Sequence, residues 1–165
     1  MNTWILSIIV VSIVLIVSYA VYNYKPIRLN EYNENHILLR TYTTLKGKKH
    51  GRELVYYPNK QLKLDVMWEN GEKNGPFAEY YENAKIAKRG KYKNDNVNIA
   101  TSFVYYPTGE LNKSQTESNG KPDGPFIVYF RNGQHYIEGN YKQGKLYGRY
   151  TVYALDGRVK LKKQY

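Results

Sequence analysis

The sequence predicts a mainly β protein, in which one N-terminal transmembrane helix precedes an elongated antiparallel meander of about five to six hairpin repeats. Three observations predict this fold. An apolar run without charged residues occupies most of the first 22 positions. Pairs that begin with tyrosine then recur every 24 or 25 residues, and two columns of turn residues keep the same spacing. Tyrosine is also abundant, with 19 Tyr against 4 Phe, and aromatic residues favour strands.

The composition limits the kinds of protein that the chain can be. Its 165 residues and 19.4 kDa fit one domain with appendages, and 42% hydrophobic residues argue against a wholly disordered chain. The absence of cysteine excludes a disulfide scaffold, a thiolate metal site, a cysteine nucleophile and a lipidated cysteine. The formal charge of +11 indicates acidic partners or anionic surfaces.

The first element is a predicted membrane helix. After a short N-terminus, residues 1–3, the segment Trp4–Tyr22 contains no charged residue. As a helix these 19 residues span roughly 28 Å, close to the hydrocarbon thickness of a bilayer. Lys25 and Arg28 follow the segment, which favours a single-pass protein with the repeat domain on the cytoplasmic side.

A cleaved signal peptide is the alternative for this segment. Ser18 and Ala20 flank Tyr19 as a small-x-small cleavage site, and the repeat domain would then be exported or periplasmic. A signal peptide, however, normally carries Lys or Arg before its apolar run, and residues 1–3 have none.

The remaining elements are repeated hairpins. Residues 23–46 are expected to form a linker and a degenerate capping repeat, because Tyr32 lies 24 residues before Tyr56, and residues 47–165 form the repeat domain. The first tyrosines of the pairs form a column: Tyr56, Tyr80, Tyr105, Tyr129 and Tyr153. Five residues earlier lies a closing column: Gly51, Gly75, Gly124 and Gly148, with Ala100 in the central unit. Four residues after each first tyrosine lies a turn column: Lys60, Ala84, Gly109, Gly133 and Gly157.

The pattern therefore predicts that each repeat unit forms two strands joined by a tight turn. Asn132-Gly133 is typical of such turns, because glycine adopts the positive φ that they require. Lys60 and Ala84 lack this freedom, so their turns are expected to use a different geometry. A second turn such as Asn119-Gly120 leads into the next unit, so successive strands should pair antiparallel.

These motifs resemble the MORN repeat in its bacterial variant form. The resemblance rests on a Tyr pair, an Asn-Gly turn, a Gly-x-Tyr strand and an x-Gly-Lys turn, as in residues 129–145. It covers about residues 47–165 and is weakest at Asn96–Ala100 and Thr116–Ser118. The resemblance implies an elongated antiparallel sheet and a non-enzymatic binding protein. It does not indicate a particular partner.

Two groups of residues have both a structural and a functional interpretation. The first-tyrosine column is either an aromatic binding strip or, the interpretation that we favour, a set of cross-strand contacts that holds the sheet together. Basic residues cluster at both ends of the array, where they predict contacts with anionic lipid or an acidic partner, or else protect edge strands from aggregation. The candidate contacts are Lys46, Lys48, Lys49, Arg52, Arg158, Lys160, Lys162 and Lys163.

The sequence offers no constellation for catalysis. His36, His50 and His135 are scattered, and no nucleophile, metal or nucleotide motif accompanies them. We therefore expect no enzyme, no cofactor, no metal, no small-molecule substrate and no nucleic-acid partner.

The predicted function is that of a membrane-anchored scaffold or accessory subunit that binds another protein, with supporting contacts to anionic lipid. The resemblance implies an alternative, an antitoxin or immunity protein that neutralises a partner toxin by binding.

Overall fold

The computed structural model describes Ser12, Leu15, Ser18 and residues 24–165, and its main feature is one antiparallel sheet. In the described part of the chain, the sheet has 13 strands. They are β1 (Ile27–Tyr32), β2 (Leu38–Leu45), β3 (Lys48–Lys49), β4 (Gly51–Tyr56), β5 (Leu62–Glu69), β6 (Glu72–Tyr80), β7 (Ile86–Lys93), β8 (Asn96–Tyr105), β9 (Leu111–Ser118), β10 (Lys121–Tyr129), β11 (His135–Lys142), β12 (Lys145–Tyr153) and β13 (Val159–Gln164).

The predicted membrane segment Trp4–Tyr22 lies outside the described residues, except for three positions within it. Ser12, Leu15 and Ser18 are helical and exposed, as is Tyr24. Within the described residues, no helix has the length and apolar character needed to cross a membrane.

The sheet is a meander, as the sequence predicts. Its strands follow one another in the order β1-β2-β4-β5-β6-β7-β8-β9-β10-β11-β12-β13, and β3 pairs with β2 beside this path. The turns that follow the tyrosine pairs each join two strands into a hairpin. We number the six hairpins 1 to 6: β1–β2, β4–β5, β6–β7, β8–β9, β10–β11 and β12–β13. Short connections explain this order, because each strand can only return beside its predecessor.

The turns within the hairpins share one geometry, and we call their side of the sheet the tyrosine margin. In hairpin 5 the Gly133 N–H donates to the Phe130 carbonyl at 2.9 Å, and the Phe130 N–H donates to the Gln134 carbonyl at 2.8 Å. The Asn132 carboxamide oxygen accepts from the Gln134 N–H at 3.0 Å. Gly133 has a φ of +84°, so the residue after the Asn side-chain cap is left-handed.

The expectation that Lys60 and Ala84 use a different turn is wrong. Lys60 has a φ of +68° and Ala84 a φ of +63°, and their N–H groups donate to the Tyr57 and Tyr81 carbonyls at 2.9 Å. The preceding asparagines make the same side-chain bond that Asn132 makes. Strand pairing and the asparagine cap thus impose the geometry, although a left-handed L-residue costs roughly 1–2 kcal/mol.

The turns between the hairpins form the opposite side of the sheet, which we call the second margin. Asn70 and Gly71 have φ values of +53° and +95°, and every turn on this margin has two successive residues with positive φ. This is the pattern of a type I′ turn, whose twist matches that of the flanking strands. The turn pairs are Lys46-Gly47, Asn70-Gly71, Asn94-Asp95, Asn119-Gly120 and Gln143-Gly144.

The core lies on one side of this single layer, and we call that side the packed face. Val66, Phe77 and Ala100 are its buried apolar cluster, at 0%, 4% and 2% exposure. Phe77 is paired with Gly90 on the next strand, and its ring lies 4.5 Å from that of Tyr92. Hairpin 5 repeats the arrangement with Phe126, Gly139 and Tyr141. A phenylalanine that covers a glycine is therefore the packing arrangement that hairpins 3 and 5 share.

Candidate binding surface

The side of the sheet opposite the packed face, which we call the open face, carries a different set of side chains. Strand residues alternate between faces. Val66, Phe77 and Ala100 lie on the packed face, so the residues next to them in each strand lie on the open face. The row Asp65, Ala78, Arg89, Thr101 and Thr116 crosses the open face from β5 to β9. The first-tyrosine column lies on the same face, since Tyr153 donates its hydroxyl to Glu138, the partner of Thr151.

A row of alternating aromatic rings and ammonium groups lies on the packed face. The Lys49 ammonium lies 5.1 Å from the Tyr42 ring centroid and 4.5 Å from that of Trp68. The Lys73 ammonium lies 5.7 Å from Trp68 and 5.1 Å from Tyr92. Burial raises the pKa of the Tyr92 hydroxyl. Contacts with two rings stabilise the half-buried ammonium of Lys73.

Glu53 is a buried carboxylate at the start of this row, and sequence reasoning did not identify it. Its side chain is 4% exposed and accepts from Lys49 Nζ and Trp68 Nε1, both at 2.7 Å. Arg40 Nη1 lies 3.7 Å away, and Arg40 Nε donates to Glu31 at 2.6 Å. The available signal was positional, because Glu53 occupies the same repeat position as Phe77 and Phe126. The hydrogen bonds compensate for a charge that burial alone would disfavour.

The four predicted basic contacts near the N-terminal end do not form one patch. Lys49 points to the packed face, where Glu53 neutralises it. Arg52 points to the open face, where Nη2 lies 2.6 Å from Asp65 Oδ2. Lys46 is a turn residue with its ammonium 3.8 Å from the Tyr24 ring centroid, and Lys48 is exposed in β3. Two of these four charges are therefore paired internally.

The four basic residues near the C-terminal end lie in and beside β13. Arg158 pairs with Asp156 at 2.7 Å, and this guanidinium lowers the pKa of the Asp156 carboxyl. Lys160, Lys162 and Lys163 are exposed. By alternation Lys162 lies on the open face and Lys163 on the packed face, so these charges are divided between the two faces.

The tyrosine pairs have two separate roles in the structure. The first-tyrosine column alternates with apolar partners from the return strands, as Tyr80 pairs with Ile86. In hairpins 5 and 6 the partner between two rings is His135, with its ring 5.4 Å from Tyr129 and 6.4 Å from Tyr153. His135 Nδ1 lies 3.2 Å from Glu138 Oε2. The column is thus a cross-strand contact, and it remains half-buried.

In hairpins 2, 3 and 4 the second residue of the pair is a tyrosine, and it provides a contact that the sequence did not reveal. Tyr57 donates its hydroxyl to the Tyr80 carbonyl at 2.7 Å, and Tyr106 donates to the Tyr129 carbonyl at 2.7 Å. Tyr81 reaches the Phe103 carbonyl at 3.1 Å. Each bond joins one hairpin to the next along the tyrosine margin, and we call this series the tyrosine ladder.

The open face contains a shallow depression of about 540 Å³ across hairpins 3 and 4. Its open-face side chains near the centre are Pro76, Ala78, Arg89, Lys91, Ile99 and Thr101. Tyr80 and Ile86 bound it towards the tyrosine margin. Small side chains in the middle and larger ones around them explain the concavity.

Within residues 24–165, no group of three or more His, Asp or Glu side chains comes together as a set of metal ligands.

Comparison with known proteins identifies the repeat. Residues 49–70 and 122–143, which contain hairpins 2 and 5, match the family described as MORN repeat variant. The two matches support a MORN repeat protein, in agreement with the resemblance seen in the sequence. Curated proteins yield no match to the sequence.

Among solved structures, one similar chain is a mutant of S. aureus TarM in complex with fondaparinux, alpha-GlcNAc-glycerol and UDP. It shares 11% identity over 88% of this chain and 23% of its own length, with a TM-score of 0.28. This chain therefore spans about a quarter of that protein's length, and the similarity is too low to bear on function.

Proposed function

We propose that this protein is a non-enzymatic binding module that presents the faces of a MORN-type sheet to another protein. The observation that supports it best is the single-layer architecture itself, since six hairpins pair in one sheet and, within residues 24–165, no second layer covers the open face. That face displays half-buried tyrosines together with exposed cations, and aromatic residues supply rigid contact area at low entropic cost.

The proposal includes a membrane location through Trp4–Tyr22. The charge-free run and the missing basic residues before it support an uncleaved anchor. Intact-mass measurement of the native protein tests this part, and a mature N-terminus at Val21 would show that the segment is removed.

Lipid contact is a supporting role in this proposal, carried by Lys46 and Lys48. These two cations are exposed close to the start of the repeat domain, whereas Lys49 and Arg52 already have carboxylate partners. Each exposed cation near an anionic leaflet contributes about 1 kcal/mol of attraction.

The decisive experiment is co-purification of the full-length chain from native membranes at low and high salt. At about 1 M salt the Debye length is about 3 Å, so attraction by exposed charges alone is lost. A protein partner whose contacts include aromatic and apolar surface should be weakened at high salt but still recovered. The matched variant is Lys46→Ser with Lys48→Ser, which should weaken binding to anionic vesicles and leave the protein partner bound. Recovery of vesicles but no protein would replace the scaffold proposal with a lipid-binding one.

A further inference from the structure

The depression on the open face lies where the repeat is irregular. In β7 and β8 the pairing shifts from Lys91 with Ile99 to Tyr92 with Val97, so Asn98 is an extra residue. In the first strands of hairpins 3, 5 and 6 the corresponding register shift has two extra residues and contains a glycine of positive φ, namely Gly75, Gly124 or Gly148. A β-bulge redirects neighbouring side chains. Here Ile99 faces the solvent with 46% exposure.

Two cations in the depression have no carboxylate partner within residues 24–165. Arg89 and Lys91 are both exposed, and neither forms an ion pair there. The Arg89 guanidinium lies over the Phe103 ring at 5.3 Å, which fixes its direction without using its charge. The acid nearest in this row of the open face, Asp65, already binds Arg52 through two bonds at 2.8 and 2.6 Å.

The spacing of the two cations suits a particular ligand shape. Arg89 and Lys91 are two residues apart on β7, so their side chains leave the same face on the order of 7 Å apart. The side chains of an extended peptide alternate with the same period. Carboxylates at positions i and i+2 of such a peptide would meet both cations, and an adjoining apolar side chain would cover Ile99 and Pro76.

We infer that this depression docks an extended segment of a partner protein that carries two alternate acidic residues beside an apolar one. The inference rests on the proposed binding function and gives it a location and a ligand chemistry. Arg89 and Lys91 supply charge complementarity, and Ile99 supplies the apolar contact. An anionic lipid headgroup also carries negative charge, but it lacks the regular spacing of side chains along an extended peptide. The test must therefore distinguish a bound peptide from a bound lipid.

The test is site-specific cross-linking in native cells with the full-length chain. Ile99→p-benzoylphenylalanine places a photoreactive group in the depression. Val104→p-benzoylphenylalanine is the matched control, because Val104 has a similar 49% exposure and lies on the packed face. We expect position 99, and not position 104, to capture a protein, and mass spectrometry to locate the bond in an acidic-apolar segment.

Charge variants test the same site independently. Arg89→Ser with Lys91→Ser should reduce the cross-link yield at position 99 more than fivefold or so, whereas Arg149→Ser, an exposed open-face cation in β12, should leave it unchanged. Circular dichroism melts should be equal for all variants, because the changed residues are exposed.

The remaining outcomes separate the two proposals. Cross-links to lipid alone at position 99, or protein cross-links that the double charge variant leaves unchanged, would overturn the inference. Capture of a protein from position 104 and none from 99 would also overturn it, yet keep the binding function. Capture of no protein from positions 99 and 104, together with no co-purifying partner, would refute the proposed function itself.

Discussion

Residue by residue, the turn column shows how a repeat imposes a conformation on side chains that do not favour it. Lys60 and Ala84 adopt the same left-handed conformation as the glycines of hairpins 4, 5 and 6. The sequence correctly located every one of these turns, because the column spacing is regular. The sequence did not predict the geometry of the turns at Lys60 and Ala84. The preference of these residues for negative φ is weaker than the hydrogen bonds of the two paired strands that each turn connects.

Ala84→Gly should therefore stabilise the protein. Glycine relieves the cost of a left-handed L-residue, and its greater freedom in the unfolded chain offsets part of that gain. We expect an increase of about 0.5–1 kcal/mol in the free energy of unfolding, measured by urea denaturation. Ala78→Gly is the control: Ala78 lies within β6, where glycine should destabilise by a similar amount. Equal effects at the two positions would contradict the turn geometry.

Glu31 provides a test of the ion pairs near the first hairpin. The hydrogen bond from Arg40 lowers the Glu31 pKa below its ordinary 4.5. A carboxyl whose pKa is lower in the folded state stabilises the fold above its unfolded pKa and loses that contribution as the pH falls. Glu31→Gln should thus destabilise the protein at about pH 7 and make its stability less dependent on pH down to about pH 3. Urea melts at both pH values measure the difference, with Glu34→Gln as the exposed control. A wild-type slope in the Glu31 variant would exclude the pair.

Between neighbouring strands, hairpins 3 and 5 share one arrangement, a phenylalanine ring that covers a glycine. The Gly-x-Tyr pattern indicated the strand that contains Gly139 and Tyr141, but not the ring that Gly139 accommodates. That ring belongs to Phe126 in the preceding strand. The repeat spacing shows that both residues recur, but it does not show that they are in contact. The tyrosine ladder was missed for the same reason, since its acceptors are backbone carbonyls 22 or 23 residues away.

Gly139→Ala should destabilise hairpin 5 through steric overlap. A Cβ at this position would lie 2.7 Å from Phe126 Cε1 and 3.3 Å from Tyr150 Cδ2. We expect a loss of about 1–3 kcal/mol in the free energy of unfolding. The double variant Gly139→Ala with Phe126→Leu should lose less than the sum of the two single variants, because the smaller side chain leaves room for the methyl group. Additive losses in this double-mutant cycle would show that the two positions are independent.

At the scale of the whole molecule, the sheet is a one-dimensional array in which strands contact their immediate neighbours. Arrays of this kind obtain their stability from each unit and its nearest interfaces. The meander was predictable because the turns are short and the two columns of turn residues are regularly spaced along the sequence. The location of a binding surface was not, because it depends on the side-chain directions at the bulge of Asn98 between β7 and β8 and on which charges remain unpaired.

Removal of one complete hairpin should leave a folded protein. Deletion of residues 121–144 joins Gly120 to Lys145, so that the Asn119-Gly120 turn leads into β12 in place of β10. We expect a β-type circular dichroism spectrum and a single cooperative melt at a lower temperature. Deletion of residues 133–144 is the control, because it removes Gly139 and Tyr141 but keeps Phe126, and it should disrupt folding. A folded control and an unfolded full-hairpin deletion would contradict the modular array.

The tyrosine ladder has a mechanical consequence. The hydrogen bonds of the sheet run along the stack of hairpins, so a pull on its two ends loads the terminal strands first and opens the sheet in sequence. Each released hairpin adds a fixed length of chain, about 80 Å for a unit of this size at roughly 3.3–3.6 Å per residue. Hairpins 2 to 5 can separate only when the ladder bonds between hairpins 2 and 3, 3 and 4, and 4 and 5 also break. Under tension the domain should therefore lengthen in discrete steps, one hairpin at a time.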